Sequence, residues 1–182
     1  PSDKVILKEG DIISVDCVVG LNGYQADSAY TFPVGEIDPE TMRLLKTTRE
    51  CLDLGVAQAI AGKRIGDIGF AVQQHAEADG FSVVREFVGH GIGKDMHEEP
   101  EVPNYGRRGN GVVLKNGMVL AIEPMICLGR RNLILEADEW TARTVDRKPA
   151  AHYEYSVAVR NGKADVLSTF DYIKEVLGDK FI

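Results

Sequence analysis

The chain has 182 residues, of which 44% are hydrophobic and 27% are charged, and its formal net charge is −7. This composition is ordinary for a globular domain with a substantial buried core. The acidic balance argues against nucleic acid or an anionic membrane as the main partner, and no apolar run approaches the ~18–20 residues that cross a bilayer. We therefore expect residues 1–182 to form one domain that binds neither nucleic acid nor membrane.

The three cysteines bear on the compartment in which the protein works. Cys17, Cys51 and Cys127 all lie in apolar stretches, and no two have the spacing of a zinc knuckle. An odd number of such residues is typical of reduced thiols in the core of a cytosolic protein. We therefore expect buried, reduced cysteines and a cytoplasmic location.

In chain order, a short strand at 5–7 is followed by the first clear element, a β-hairpin between Asp11 and Gly35. An Asn-Gly pair at 22–23 separates its two strands, as in two-residue turns. Each residue i then faces residue 45 − i, which makes Asp16 and Asp27 diagonal neighbours on one face. Two such carboxylates repel each other unless a cation lies between them. For the hairpin alone, a solvent-exposed polar face is an equally good interpretation.

The rest of the chain interleaves helices and short strands. Asp38 followed by a proline is typical of a helix start, and helices are predicted from Pro39 to Ala61, from Asp67 to Ala78 and over 170–178. Strands are predicted at 81–88, 118–123, 153–159 and 164–168, and residues 101–117 are expected to be irregular. Because the predicted hairpins are antiparallel, the pattern favours an α+β fold over a doubly wound parallel sheet.

Two histidines lie in a glycine-rich segment, GHGIGKDMHEEP, from Gly89 to Pro100. His90 is flanked by glycines, so its imidazole is free to act as a ligand or donor. Pro100 excludes a helix through His97, so the segment is not a helical HExxH zinc site. Either histidine could equally be a loop residue that caps a turn.

Two glutamates occupy strand positions where apolar residues are expected. Glu123 ends an apolar strand, where a carboxylate must be paired or hold a metal because an unpaired buried charge is costly. Glu154 is either a similar buried group or an outward residue of a half-exposed strand. His152 shares the strand face of Glu154, and we interpret it as a neighbour of the site or a surface residue, not a ligand. His75 is expected to be an ordinary core or surface histidine.

Together these residues form a ligand set rich in carboxylates, with one or two imidazoles. Such a set suits divalent ions such as Mn, Fe, Co or Zn. Four carboxylates are too many for one zinc ion, and they favour two ions that share carboxylates and activate a bridging water for hydrolysis.

Four segments resemble, in order and spacing, the metal-site motifs of the methionine aminopeptidases: VDCVVGLNGYQAD, FVGHGIGKDMHEEP, VLAIEPM and YEYSVAV. The resemblance extends along essentially the whole chain and is closest to the type I, bacterial-type enzymes. It includes DEWTARTVDR, and no long insert of the type II kind separates His97 from Glu154. It implies the pita-bread (creatinase/aminopeptidase-like) fold, an antiparallel sheet with pseudo-two-fold halves covered by helices. In that fold residues 1–182 are a single metallopeptidase catalytic domain.

The resemblance also implies the ligands of two divalent ions, drawn from Co, Mn, Fe, Zn or Ni. Carried over by position, Asp16 chelates one ion, and Asp27 and Glu154 bridge both. His90 and Glu123 complete the second ion.

The resemblance implies catalytic and substrate-binding residues as well. Glu123 shuttles a proton to the leaving amine, and His97 donates to the substrate carbonyl oxygen. Met96 lines the methionine pocket where many relatives have an aromatic residue, and Trp140 matches a tryptophan of the family that we expect to bind substrate.

The implied activity is removal of the initiator methionine from nascent polypeptides. The implied partners are N-terminal methionyl peptides and nascent chains, with the ribosome as a candidate partner, and we expect a monomer. Two alternatives remain: an X-Pro aminopeptidase or prolidase-like enzyme with the same ligands, and a catalytically inactive pita-bread module used for binding. Inactive modules typically lose ligands, whereas all five are present here.

The start of the chain departs from the family pattern. In the family, a segment that ends in a substrate-contacting histidine precedes this stretch. The four histidines of this chain are His75, His90, His97 and His152, and none precedes the hairpin. We therefore expect that Pro1 is not the native start and that turnover without the upstream histidine is poor.

Overall fold

The computed structural model describes residues 4–182. Pro1, on which the expectation about the start of the chain depends, lies outside the described residues. The elements, in chain order, are β1 (Ile12–Leu21), β2 (Tyr24–Pro33), α1 (Pro39–Val56), α2 (Ile65–Ala78), β3 (Ser82–Val83), β4 (Gly89–Gly91), β5 (Glu98–Val102), β6 (Val119–Ile122), β7 (Met125–Cys127), β8 (Leu133–Leu135), β9 (Ala142–Thr144), β10 (Ala150–His152), β11 (Tyr155–Ala158), β12 (Asp165–Val166) and α3 (Asp171–Leu177).

Strands β1 and β2 form the predicted hairpin. Asn22 and Gly23 make its turn with φ angles of 52° and 80°, values that suit glycine and asparagine. Asp16 pairs with Ala29, and Val18 pairs with Asp27. The predicted register is therefore confirmed, and the two aspartates lie on one face of the hairpin.

The remaining strands form three more antiparallel sheets. The largest has the order β12-β11-β6-β4-β5, a second has the order β10-β7-β3, and β8 pairs with β9. Every pair of neighbouring strands runs antiparallel. Antiparallel sheets combined with helices confirm the predicted α+β class.

Hydrogen bonds join the hairpin to the segment that contains β10 and β11. The amide of Glu154 donates to the carbonyl of Ala29 at 2.9 Å. The Ser156 hydroxyl accepts from the Asp27 amide at 3.0 Å and donates to the Asp27 carbonyl at 2.9 Å. These bonds place Asp27 beside Glu154 although 127 positions separate them in the sequence.

Helices α1 and α2 cover the sheets. The carboxylate of Asp38 caps α1 by accepting from the amides of Glu40 and Thr41 at 3.0 and 2.9 Å, and Pro39 follows it as predicted. The apolar faces of the helices are buried in two core clusters, whose fully buried members include Leu44, Leu45, Cys51, Leu52, Ile68, Val72 and Ala76. Burying each large apolar side chain contributes about 1.5–3 kcal/mol to the stability of the folded state. The core therefore holds the helices against the sheets that carry the polar residues.

Several predicted boundaries are wrong. Residues 5–7 are not a strand, and the strand predicted at 81–88 is reduced to β3, because residues 85–87 are exposed and bend away from the sheet. Helix α1 ends at Val56 instead of 61, where turn hydrogen bonds such as that from the Gln58 amide to the Gly55 carbonyl replace the helical pattern. Strand β5 begins within the glycine-rich segment and extends into the stretch expected to be irregular, because its antiparallel pairing with the neighbouring strand β4 outweighs three exposed glutamates.

The cysteines are free, but only two are buried. Cys51 and Cys127 belong to the core, and burial raises the pKa of the Cys51 thiol to about 12. Cys17 is exposed, which corrects the expectation of a core residue, because β1 contributes only one side of a two-stranded hairpin. Among residues 4–182, no helix is long and apolar enough to cross a membrane.

Candidate metal centre

Three residues predicted as ligands meet in the interior, at the junction of the hairpin and the largest sheet. Asp27 is 6% exposed, His90 is 8% exposed and Glu154 is 1% exposed. One ligand atom of each lies within 4.8 Å of the others. The interpretation of Glu154 as an outward residue of a half-exposed strand is therefore wrong.

His90 is held in β4 by its backbone and by its ring. The strand pairs His90 with Ala121 of β6, and a side chain at either Gly89 or Gly91 would collide with a backbone carbonyl. The ring atom Nδ1 lies 2.9 Å from the Gly91 carbonyl oxygen. Since a carbonyl only accepts, Nδ1 carries the proton and Nε2 keeps its lone pair, as in metal-binding histidines.

That lone pair faces carboxylates. Nε2 of His90 lies 3.5 Å from Oε1 of Glu123 and 3.9 Å from Oδ2 of Asp27. Burial lowers the pKa of His90, which favours the neutral imidazole that a metal requires. The geometry is that of a neutral donor among acidic groups.

Glu123 follows β6 directly and lies between two histidines. Its Oε2 is 3.6 Å from Nε2 of His152, whereas its Oε1 is 3.5 Å from Nε2 of His90. Its backbone carbonyl accepts from the Asn104 side chain at 2.9 Å, which fixes the end of the strand. Glu123 therefore lies near both histidines, although it is not a member of the group formed by Asp27, His90 and Glu154, and its role as a ligand stays a prediction.

A second group of possible ligands shares Glu154 with the first. One ligand atom each of Asp16, His152 and Glu154 lies within 4.8 Å of the others, and Asp16 is the exposed member. His152 was interpreted as a neighbour of the site or a surface residue and not as a ligand, and this interpretation underestimated its position within a group of possible ligands. Its signal was the strand face that it shares with Glu154.

Several carboxylates lie close together in the site, and keeping them ionised there without a cation costs free energy. Burial, with the charges of Glu123, Asp27 and Asp16, raises the pKa of Glu154 to about 10. Burial and the nearby aspartates raise the pKa of Glu123 to about 8, and burial with Asp16 raises that of Asp27 to about 6. Within the described residues, the buried atoms Oδ1 of Asp27 and Oε1 of Glu154 have no hydrogen-bond partner. Unpaired buried oxygens beside neutral imidazoles fit a divalent cation.

The predicted substrate-binding residues lie at the edge of the site or beyond it. The exposed ring of His97 lies edge-on to His90, with centroids 4.4 Å apart, and both rings line a pocket of about 350 Å³. Met96 is 41% exposed, and Trp140 is 89% exposed in the turn between β8 and β9. Their roles in substrate binding stay predictions.

Comparison with known proteins decides the family. Residues 1–161 match metallopeptidase family M24. The chain belongs to this family. It is 51% identical over 168 residues to a methionine aminopeptidase of Clostridium acetobutylicum, covering 92% of this chain and 67% of that protein. It is 40% identical to a methionine aminopeptidase of Escherichia coli, covering 92% of this chain and 64% of that protein.

Solved structures share the fold. The chain resembles a methionine aminopeptidase of Thermotoga maritima with a TM-score of 0.89 and 42% identity, covering 91% of this chain and 67% of the other. The chain also resembles a prolidase of Pyrococcus furiosus with a TM-score of 0.70 and 22% identity, covering 90% of this chain and 42% of the prolidase chain. At this identity the likeness shows the fold alone. The predicted pita-bread fold and the resemblance to methionine aminopeptidases are confirmed.

The chain covers only part of each curated relative. It spans between 61% and 67% of the length of the curated methionine aminopeptidases it matches. What the whole relatives do is therefore carried to this chain as a proposal.

Proposed function

We propose that the protein is a metal-dependent aminopeptidase that removes N-terminal methionine by hydrolysis. The observation that carries the proposal is Glu154, a fully buried carboxylate shared by two groups of possible ligands, each with a second carboxylate and a histidine. The identity of 40–51% to proteins named methionine aminopeptidase supports the choice of substrate.

The five predicted ligands would hold two divalent ions. Asp16 would bind one ion, His90 and Glu123 the other, and Asp27 and Glu154 would bridge them. Bound ions of this kind lower the pKa of a shared water toward neutrality and polarise a carbonyl oxygen. The burial of Asp27, His90 and Glu154 excludes bulk water from the same place, which strengthens these electrostatic interactions.

Two side chains would handle the proton and the developing negative charge. Glu123, whose carboxylate lies 3.5 Å from His90 and 3.6 Å from His152, would accept a proton from the attacking water and give it to the leaving amine. His97, at the mouth of the pocket beside His90, would donate to the carbonyl oxygen as it becomes an oxyanion. The exposure of His97 leaves it free to meet a peptide that enters from solvent.

The proposed setting follows from the substrate. Methionyl peptides and nascent chains are the proposed substrates, the ribosome is a candidate partner, and the protein would act as a cytoplasmic monomer. These statements rest on the sequence and on the proposed activity.

The test compares peptides and metal content in one preparation. Loaded with Co²⁺ or Mn²⁺, the protein should bind two ions and cleave Met-Ala-Ser but not Leu-Pro, and a chelator should abolish cleavage. The Glu154→Gln variant should lose both ions and activity. Cleavage of Leu-Pro with Met-Ala-Ser untouched would instead indicate an X-Pro enzyme. Since turnover is expected to be poor without the upstream histidine, the assay uses a high protein concentration, and metal binding without any cleavage under that condition would indicate a binding module.

A further inference from the structure

His152 is a second histidine at the centre of the site, outside the five predicted ligands. Its Nε2 lies 3.6 Å from Oε2 of Glu123. The same nitrogen is buried, and no hydrogen-bond partner for it exists among residues 4–182. A buried imidazole nitrogen without a partner is costly, so its position calls for a function.

The backbone of His152 is held firmly by one hydroxyl. Oγ1 of Thr31 donates to the His152 carbonyl at 2.6 Å and accepts from the His152 amide at 2.9 Å. Ser14 Oγ lies 2.8 Å from the same hydroxyl and must donate to it, because the single proton of Thr31 is already used. Strand β10 also pairs His152 with Met125. The imidazole therefore projects from a fixed point.

The two oxygens of Glu123 have different neighbours. Oε1 lies 3.5 Å from Nε2 of His90, the spacing of two ligands that approach one ion, and Oε2 faces His152. If Oε1 and His90 share an ion, Oε2 is left to a donor, and the Nε2–H tautomer of His152 can supply it. At 3.6 Å the contact is longer than a hydrogen bond, but such contacts commonly tighten when the site is loaded.

We propose that His152 is a positioning residue that orients the Glu123 carboxylate for metal binding and proton transfer. The proposal deepens the proposed aminopeptidase function and rests on it for the catalytic part alone. The competing role is that of a sixth metal ligand, because the His152 ring also lies near Asp16 and Glu154. The two roles differ in what happens to the number of bound ions.

The first test needs no activity. Co²⁺ is titrated by calorimetry and by its absorption spectrum into the wild type, His152→Ala, Glu123→Gln and the double variant. We expect His152→Ala to keep two ions and an unchanged spectrum and to weaken the Glu123-dependent ion by about 10–100-fold, the usual effect of losing a residue that supports a ligand. In the Glu123→Gln variant, adding His152→Ala should not weaken metal binding further, because the carboxylate that His152 orients is already absent.

The second test uses turnover of Met-Ala-Ser at saturating Co²⁺. His152→Ala should lower kcat by about 10–100-fold with KM within twofold, and His152→Gln, whose amide can also donate, should recover most of it. His75→Ala is the matched control, since His75 pairs with Glu50 on the outer face of the helices at 2.7 Å. Equal melting temperatures of the variants show that all are folded.

The possible outcomes separate the two proposals. Loss of one ion or an altered spectrum in His152→Ala, or additive effects in the double variant, would make His152 a ligand and overturn the inference. Unchanged affinity in His152→Ala would overturn it as well. A wild type that binds two ions but does not cleave Met-Ala-Ser would defeat the proposed function, while the titration cycle would still decide the role of His152.

Discussion

The surroundings of the Asp27 side chain favour a bound cation. One of its oxygens lies 3.9 Å from His90 and the other is buried without a hydrogen-bond partner within the described chain. Desolvation, followed by the charge of Asp16, raises its pKa to about 6. A carboxylate in this position is stabilised as an anion only when a positive charge is bound beside it.

We expect Asp27→Asn to abolish peptide cleavage and to lower the metal stoichiometry below two, because an amide cannot bridge two cations as a carboxylate does. Metal content by elemental analysis and Met-Ala-Ser turnover check this. Asp179→Asn, an exposed aspartate near the C-terminus, should change neither. Full activity in Asp27→Asn would reject the assignment of Asp27 as a bridge, and Glu154→Gln should behave like Asp27→Asn.

The two histidines of the glycine-rich segment are expected to respond differently. His97→Ala should lower kcat by roughly 10²–10³ while metal binding is nearly intact, because it removes one donor to the oxyanion. His90→Ala should weaken metal binding, because it removes a buried ligand. Calorimetric titration of both variants tests the assignment, and the opposite pattern would exchange their roles.

At the scale of elements, the features that the sequence predicted correctly are those determined by a few neighbouring residues. The Asn-Gly turn set the register of the hairpin, so the shared face of Asp16 and Asp27 was predicted correctly. Asp38 and its proline likewise located the start of α1. Both signals act over a few residues and do not depend on the rest of the fold.

Short strands with distant partners could not be predicted in the same way. Strand β10 has three residues and pairs with β7, and no alternation can be recognised over so short a stretch. Without β10, the sequence offered no means of seeing that His152 lies against Glu123. Asp27, His90 and Glu154, which the structure brings together, could be recognised as candidates because each interrupts an apolar or glycine-rich pattern, whereas the position of His152 depends on tertiary contacts.

The hydroxyl of Thr31 is the connection between β2 and β10 that can be tested most directly. Thr31→Val keeps the shape of the side chain but removes the bonds to the amide and carbonyl of His152. Leaving those buried groups unpaired should cost about 1–3 kcal/mol of the free energy of unfolding. Urea unfolding measures this, Thr31→Ser should retain most of the stability, and equal stability of Thr31→Val and wild type would show that the connection is not structural.

At the scale of the whole molecule, the buried carboxylates of the site make the free energy of unfolding depend on pH and on bound metal. Burial raises the pKa of Asp27, Glu123 and Glu154 to about 6, 8 and 10 respectively. In an unfolded chain the pKa of a carboxyl group is about 4. At these three carboxyl groups the folded, metal-free protein therefore binds more protons than the unfolded chain above pH ~4, whereas burial lowers the pKa of His90 and His152 and has the opposite effect there. Stability falls with rising pH wherever the folded state binds more protons.

We expect the contribution of these three groups to the stability of the metal-free protein to be greatest at or below about pH 4 and to be lost as the pH rises from there through the raised pKa values of about 6, 8 and 10. Bound divalent ions should reverse the trend, because they stabilise the ionised carboxylates and compete with protons for them. Urea unfolding of chelator-treated protein between pH 5 and 9, with and without Mn²⁺, measures both effects. Glu154→Gln should flatten the metal-free slope because it removes the group with the largest shift, whereas Glu175→Gln, at an exposed position of α3, should leave it unchanged. Because the lowered pKa values of His90 and His152 add stability as the pH rises to about 6.5, the decisive range is pH 7 to 9. A metal-free protein that becomes more stable over that range would show that the three carboxyl groups are already ionised and paired without a metal.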